Sequence, residues 1–494
     1  MSNRINIQKT YKLFIDGKFP RTESGRYIKW SDSKESAVVN ICRGSRKDFR
    51  NAMVAARKAS GSWACRTAYN RAQILYRIGE MLEGRRDQFM AELTLQGLSK
   101  KQAENEIDAA AIEQIRNGNN LTRPSLIELE AAELLIDMID SVDMVKFTKN
   151  GSSSVSAAVK LARAYTGRDK VARCAQHPFF SYDDWFIGST TLTKGIPDST
   201  IELTKVFNYN DIESLKNLIE KHPNQFACVV LEPAAGTECP SIEGSSAGGC
   251  CGQKICSRSV EKAGQNNFLY QVQELCRSNG IVFILDEMIT GFRWHMKGAQ
   301  YLYGINPDLC TFGKGMANGF SVSCVAGRRE IMEQGSIEHA GKERLFLLST
   351  THGAEMSGLG AFVKTIEVMQ RENVVDHVWD YGHKLKKIMN KIARELGIEK
   401  NFVVSGPSCS PVYSTLNNDG INSLELRTLF SQEMIKNGVL MPWITLCLRH
   451  TEEELLITEK ALHASLLVYR KALERGVDNF LEGPAIKPVF RKYN

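Results

Sequence analysis

The 494-residue sequence has no long apolar run. Stretches such as Ile281 to Leu285 are only strand length, against the roughly 20 apolar residues that a bilayer-spanning helix requires. A membrane-spanning segment is therefore not expected. Proline is sparse, at 13 residues, and neither low-complexity tracts nor internal repeats are evident, which excludes fibrous and disordered classes. The first twenty residues scatter Arg4, Lys9, Lys12, Asp16 and Lys18 among isolated apolar positions, so an export signal is missing and a cytoplasmic location is expected. The 13 cysteines are odd in number and dispersed, which fits reduced thiols better than a disulfide framework.

What is present is ordinary globular composition, 43% hydrophobic and 24% charged. The net charge of +7 is unevenly spread, with +9 in residues 1–108 and −2 in the remainder. The basic charges alternate with apolar residues at helical spacing and lack interleaved aromatics, so they read as a solvated helix face and no nucleic-acid partner is expected. In this first segment Tyr11 to Ile15 alternates like a strand, Asp16-Gly17 is a turn signal, and Lys18 to Thr22 can return as a hairpin. Asp48 can cap a helix burying Phe49, Met53 and Ala56. Ile74, Leu75, Ile78, Met81 and Leu82 mark a second helix, and Gly97 a stop. The segment offers neither a phosphate loop nor a nucleophile with a base.

From about Ala109 strands alternate with helices, the pattern of an α/β layer with a mainly parallel sheet. Ser125 and Glu128 form a capping-box pattern ahead of Leu126, Leu129, Leu134 and Leu135. Met144 to Thr148 reads as a strand, and Asn150-Gly151-Ser152-Ser153-Ser154 turns from it into a helix carrying Ala157, Ala158, Leu161 and Ala164. Such a turn offers free N–H groups, hydroxyls and a positive dipole end to a phosphate, or is a simple loop with a serine cap. Ile281 to Leu285 reads as a strand buried on both faces and ends in Asp286-Glu287. Leu309 to Phe312 leads into Gly313-Lys314-Gly315, where the glycines permit close approach and a partly desolvated lysine suits Schiff-base chemistry. A phosphate cradle, an acid and a later lysine at strand ends are the parts a pyridoxal phosphate enzyme needs. The loop from Asn150 to Ser154 would take the phosphate, Asp286 the pyridine nitrogen and Lys314 the aldehyde.

Both segments resemble known families. Tyr11 to Phe19, Ala56-Arg57-Lys58-Ala59, Trp63 and Arg71 to Ile78 resemble the N-terminus of an aldehyde dehydrogenase over about residues 11–108. The likeness ends before that family's dinucleotide site, cysteine and glutamate, which implies an appended non-catalytic module. Asn150-Gly151-Ser152 with Leu161 to Arg168, Leu285 to Arg293, and Pro307-Asp308-Leu309 with Phe312 to Gly315 resemble a class III pyridoxal phosphate aminotransferase of fold type I. The likeness is closest to the glutamate-1-semialdehyde aminomutase group.

This second resemblance implies a large cofactor domain over residues 109–370, with an insertion at about 241–267, and a C-terminal α+β small domain over 371–494. It implies that Gly151 and Ser152 bind phosphate, with Asn150 beside them, and that Asp286 pairs with the ring nitrogen and Lys314 carries the Schiff base. Phe179, with Phe180 close behind, is the aromatic expected to stack on the cofactor. Glu232-Pro233 matches a strand end near the ring. Thr350 matches a threonine that reaches the neighbouring subunit's phosphate, which implies a homodimer with shared sites. The implied activity is amino-group transfer, as aminotransferase or 2,1-aminomutase, on a small amino acid, amino aldehyde or keto compound. The alternative is a catalytically impaired fusion acting in binding or assembly, because the dehydrogenase-like segment replaces the family's own N-terminal stretch.

The Gly-, Ser- and Cys-rich stretch from Ser241 to Asn267 has four thiols between Cys239 and Cys256, without paired spacing or a nearby histidine. It reads as a surface insertion, and no metal site is expected. Further on, Leu424 to Ile435 is expected as a helix, Gly438 to Met441 as a strand, and Thr451 with Glu454 as a capping box.

Overall fold

The structure, a computed structural model, describes residues 10–31, 38–64, 106–121, 124–234, 240, 267–336, 338–348, 352–353 and 355–492. Two compact units divide the chain, residues 1–109 and 110–494.

In the first unit a three-stranded sheet is built from β1 (Thr10–Tyr11), β2 (Tyr27–Ser31) and β3 (Val38–Cys42). β3 is central, parallel to β1 and antiparallel to β2. The expected hairpin forms around Asp16 and Gly17, both at positive φ: Ile15 and Lys18 exchange backbone hydrogen bonds and Leu13 N–H donates to Pro20 O at 3.0 Å, while Thr10 and Tyr11 ahead of it pair with β3. The helix Arg46–Ala64 begins with a reciprocal pair. Asp48 N–H donates to Ser45 Oγ at 3.2 Å, and Ser45 N–H donates to Asp48 Oδ2 at 2.8 Å. Asp48 thus closes the cap from inside the helix rather than serving as the cap residue. Thr22 Oγ1 donates to the same carboxylate at 2.5 Å and, with Ser45 and Glu23, holds its pKa down to about 2. Phe49 and Met53, expected to be buried, are 69% and 41% exposed, and Ala56 is exposed as well. The second expected helix and Gly97 lie outside the described residues.

The second unit is built on a seven-stranded sheet of β4 (Met144–Thr148), β5 (Lys170–Cys174), β6 (Thr204–Phe207), β7 (Phe226–Leu231), β8 (Val282–Asp286), β9 (Leu309–Phe312) and β10 (Ser323–Gly327). The order is β4-β10-β9-β8-β7-β5-β6. Only β10 runs against its neighbours, so β4 points the same way as β5 to β9. Strands buried on both faces need apolar cover on each side. On one side Cys228, Val230, Ile284 and Val325 pack against Val155, Ala158 and Leu161 of the helix Gly151–Thr166. On the other, Val229, Leu231, Phe283 and Leu285 join a core shared with Leu269, Val272, Trp379, Leu385 and Phe430.

The helix Leu126–Met138 buries Ile127, Ala131, Leu135 and Met138, while Leu126 and Leu129 are 85% and 54% exposed. Of the expected apolar positions Leu135 is buried and Leu134 half-buried, while the first turns bury Ile127 and Ala131 in place of Leu126 and Leu129. Ser125 Oγ accepts from Glu128 N–H, but the Glu128 carboxylate pairs with Lys146 across to β4, leaving half a capping box. Beyond the sheet, β11 (Phe402–Ser405) and β12 (Val412–Thr415) form a small antiparallel pair packed with the helices Val374–Glu395, Leu424–Lys436 and Glu452–Arg475. Thr451 and Glu454 make a complete capping box. Gly438 to Met441 is irregular rather than a strand; Gly438 has positive φ and ends the preceding helix, leaving no partner strand beside it among the described residues.

Candidate active site

Five parallel strands deliver their C-terminal ends to one edge of the sheet, the edge where open α/β sheets bind ligands. β4 leads to Asn150, Gly151 and Ser152; β5 to His177 and Phe179; β7 to Glu232; β8 ends in Asp286; and β9 leads to Gly313 and Lys314. The edge brings together residues far apart in sequence, with β10 as the spacer that keeps β4 in line.

At the cradle, Asn150 caps the helix Gly151–Thr166, its Oδ1 accepting from Ser153 N–H at 3.0 Å. That leaves the Gly151 and Ser152 N–H groups at the positive end of the helix dipole. Thr148, Ser154 and Ser323 hydroxyls interlock beneath it at 2.6 to 3.0 Å, fixing the helix start to β4 and β10. Gly151 lies tight against Met288, since a Cβ there would be 3.0 Å from its Sδ. The same sulfur would lie 2.6 Å from a Cβ on Gly313, whereas a Cβ on Gly315 meets nothing within 4 Å. Met288 is therefore wedged between the cradle and the lysine turn, a role the sequence pattern had not shown.

Asp286 is buried, and its Oδ1 accepts from Met288 N–H at 3.0 Å and Thr311 Oγ1 at 2.9 Å. Burial raises its pKa, opposed by these bonds and by Lys314. Glu232 is also buried, and its pKa is raised by burial first and by the Asp286 charge second. Because the two hydrogen bonds favour ionised Asp286, Glu232 is the member that keeps a proton. Glu287, next to Asp286, is instead structural. Its carboxylate accepts from Ala299 and Gln300 N–H groups and the Thr290 hydroxyl at the start of the helix Gly298–Tyr303.

Lys314 is exposed and has φ +46, a left-handed conformation uncommon outside glycine. The expected partly desolvated setting is not seen, because the lysine starts the turn beyond β9 rather than lying within the strand. It remains within electrostatic reach of both Asp286 and Glu232.

Phe179 is 48% exposed, while Phe180 is buried with its ring edge-on to His177 and Phe186. His177 accepts from Glu232 N–H at Nδ1 (3.2 Å), so its Nε2–H donates to Ala234 O (3.2 Å). Burial pushes its pKa down to about 3, consistent with this neutral tautomer. It ties the Phe179 loop to the Glu232 strand end, a tertiary contact that no local motif signals. Thr350 and the thiols from Cys239 to Cys256 lie outside the described residues, among which there is no cluster of three or more metal-ligating side chains.

The residues at this edge fit pyridoxal phosphate: a helix start kept open by glycine, an ionised buried acid, an exposed ring and an accessible lysine. Comparison with known proteins agrees. The class-III aminotransferase profile matches residues 261–403, and the aldehyde dehydrogenase family profile matches residues 20–123. The 3-aminobutyryl-CoA aminotransferase of Cloacimonas acidaminovorans (strain Evry) is 30% identical over 374 residues, covering 75% of this chain and 82% of that protein. The glutamate-1-semialdehyde 2,1-aminomutase of Clostridium tetani (strain Massachusetts / E88) is 29% identical over 354 residues, covering 67% and 77%. The solved structure of the FumI protein from Sphingopyxis sp. MTA144, a pyridoxal phosphate form, superposes with a TM-score of 0.62 at 23% identity, covering 75% and 82%; at that identity it shows the shared fold.

Proposed function

This chain belongs to the class-III aminotransferase family, and from that premise we propose that Lys314, Asp286 and the Gly151–Ser152 helix start carry its pyridoxal phosphate-dependent amino-group transfer. The bound cofactor supplies a carbonyl that accepts an amino group and a ring that withdraws electrons. Lys314 would hold the cofactor through its aldehyde, and its Nζ would be the group that carries the proton during amino-group transfer. Asp286, with Oδ1 already engaged by Met288 and Thr311, offers Oδ2 to hold a proton on the ring nitrogen. Gly151 and Ser152 bind the phosphate, with Asn150 acting through the cap, and Thr350 is assigned to the phosphate of a partner subunit. Phe179, the exposed ring, would stack on the cofactor, and Glu232 would stand near it as a neutral acid. The observation that carries this reading is the convergence of cradle, acid and lysine on one sheet edge.

The substrate class is a small amino acid, amino aldehyde or keto compound, handled as an aminotransferase or a 2,1-aminomutase; both activities occur among the named relatives. We assign residues 1–108 to a non-catalytic module, 109–370 to the cofactor domain and 371–494 to a small domain, and the working form to a cytoplasmic homodimer. No helix among the described residues is long and apolar enough to cross a membrane, and the free thiols at Cys174, Cys228, Cys276, Cys310 and Cys324 suit a reducing compartment.

The test is the absorbance spectrum of purified protein with added pyridoxal phosphate. A visible band that bleaches with borohydride and is lost in Lys314→Ala is expected. A folded protein with no such band overturns this reading in favour of a catalytically impaired fusion.

A further inference from the structure

Past the helix Glu452–Arg475 the chain is laid along the helix Leu424–Lys436 without strand or α-helical pairing of its own. Gln432 grips it at two points, its Nε2–H donating to Phe480 O at 3.0 Å and its Oε1 accepting from Glu482 N–H at 2.9 Å. Four residues back on the same helix face, Thr428 Oγ1 accepts from Ile486 N–H at 2.9 Å. Pro484 and Pro488 fix φ and remove two N–H donors, which favours an extended course. The result is a strap that delivers Phe490 to the core beneath the helix Gly151–Thr166. Val489 is 78% exposed, whereas Phe490 is half-buried and packs against that core.

The ring that Phe490 meets is Phe186, edge-on at 6.4 Å. Phe186 is buried and is the hub of the aromatic loop beyond β5: the Phe179 and Phe180 rings each lie 5.7 Å from it, also edge-on, and the Arg173 guanidinium covers it at 5.2 Å. The same loop touches the cradle. Ser181 Oγ donates to Ser152 O and Tyr182 N–H donates to Ser152 Oγ, both at 3.3 Å, while Trp185 Nε1–H donates to Ser156 Oγ at 2.8 Å one turn further on. A half-exposed ring such as Phe179 takes its orientation from few neighbours, and edge-to-face contacts fix the angle between rings as well as their distance. Removing the ring that closes one side of Phe186 leaves a void into which the hub can shift.

We propose that Phe490 is a positioning residue of the active site: it braces Phe186, and through Phe186 holds the Phe179 ring, together with the Ser181–Tyr182 backbone, against the cradle. The proposal rests on the reading above in which Phe179 stacks on the cofactor and Ser152 meets its phosphate. It makes the strap, anchored on Gln432 and Thr428, part of cofactor retention.

The test uses the full chain as wild type, Phe490→Ala, Phe490→Tyr, Phe179→Ala and the Phe179→Ala/Phe490→Ala double variant, with Val489→Ala as control. Pyridoxal phosphate is titrated, reading the visible band and its induced circular dichroism. Phe490→Ala is expected to weaken binding about two- to tenfold and to reduce the induced ellipticity. Phe490→Tyr should restore most of both, and Val489→Ala should match wild type. In the Phe179→Ala background the same change at Phe490 should cost less, because the two act as one unit. Full additivity, or an effect at Phe490 with none at Phe179, overturns the route through Phe179. Amide exchange of the cofactor-free protein gives a reading independent of the cofactor. It should accelerate over residues 179–187 in Phe490→Ala while the helix Glu452–Arg475 is unaffected; unchanged or uniformly faster exchange overturns the bracing role. A wild-type chain without a Lys314-dependent band overturns the cofactor reading instead, and the exchange measurement still decides the brace, so the two failures are distinguishable.

Discussion

Two carboxyl groups at the sheet edge share one environment and divide the work. Asp286 is stabilised as an anion by the Met288 N–H and the Thr311 hydroxyl, while Glu232 has the unfavourable combination of burial and a neighbouring negative charge. A carboxyl whose folded pKa lies above its unfolded value binds more protons folded than unfolded. Stability of the cofactor-free protein is therefore fullest near the ordinary carboxyl range and falls as pH rises towards the raised folded value. Glu232→Gln imitates the protonated form. Its melting temperature should lose less than that of wild type between about pH 5 and about pH 8, and identical slopes in a differential scanning series would count against the raised Glu232 assignment. Asp286→Asn removes the charge proposed to hold a proton on the ring nitrogen. The amino-transfer rate should drop by at least about a hundredfold while the fold is kept, measured as kcat at saturating donor alongside the far-UV circular dichroism spectrum.

At the level of elements, the glycines on either side of the lysine are unequal. Both read alike in sequence, but Gly313 faces Met288 Sδ and Ser323 Cβ, at 2.6 and 3.0 Å from a hypothetical Cβ, and Gly315 faces open space. Gly313→Ala should cost about 1 to 3 kcal/mol through overpacking between β9 and β10, and Gly315→Ala should be nearly neutral. Urea denaturation of both variants checks this, and a reversed order would show that the lysine turn packs differently. The hydroxyl knot of Thr148, Ser154 and Ser323 belongs to the same scale. It satisfies polar groups inside the sheet and ties the start of the helix Gly151–Thr166 to β4 and β10.

At the level of the molecule, strand order is the device that makes the site. β4 and β9 are neighbours only through the antiparallel β10, and this insertion sets the helix start carrying Gly151 opposite Lys314 with both on the same edge. The aldehyde dehydrogenase family profile covers residues 20–123, and the described part of that span includes β2, β3 and the helix Arg46–Ala64. If sites are shared as Thr350 implies, sedimentation analysis of the loaded full chain should give twice the 55.3 kDa chain mass. A monomer that retains the Lys314-dependent band would sink the shared-site assignment.

The sequence by itself determined the α/β class, the strand ending in Asp286, the Lys314 turn and the box at Thr451, because each is written in local pattern, whereas the helix cap read as a serine is Asn150 in the structure. Its readings weakened where neighbours decide. The apolar face of the helix at Leu126 depends on which side meets the sheet. The exposure of Phe49 depends on what surrounds its helix. Only the tertiary structure distinguished Glu287 as a buried helix-start acceptor from Asp286 at the strand end, and set His177 between two backbone groups. These are effects of burial and through-space partnership between residues distant in the chain, which no local spacing encodes.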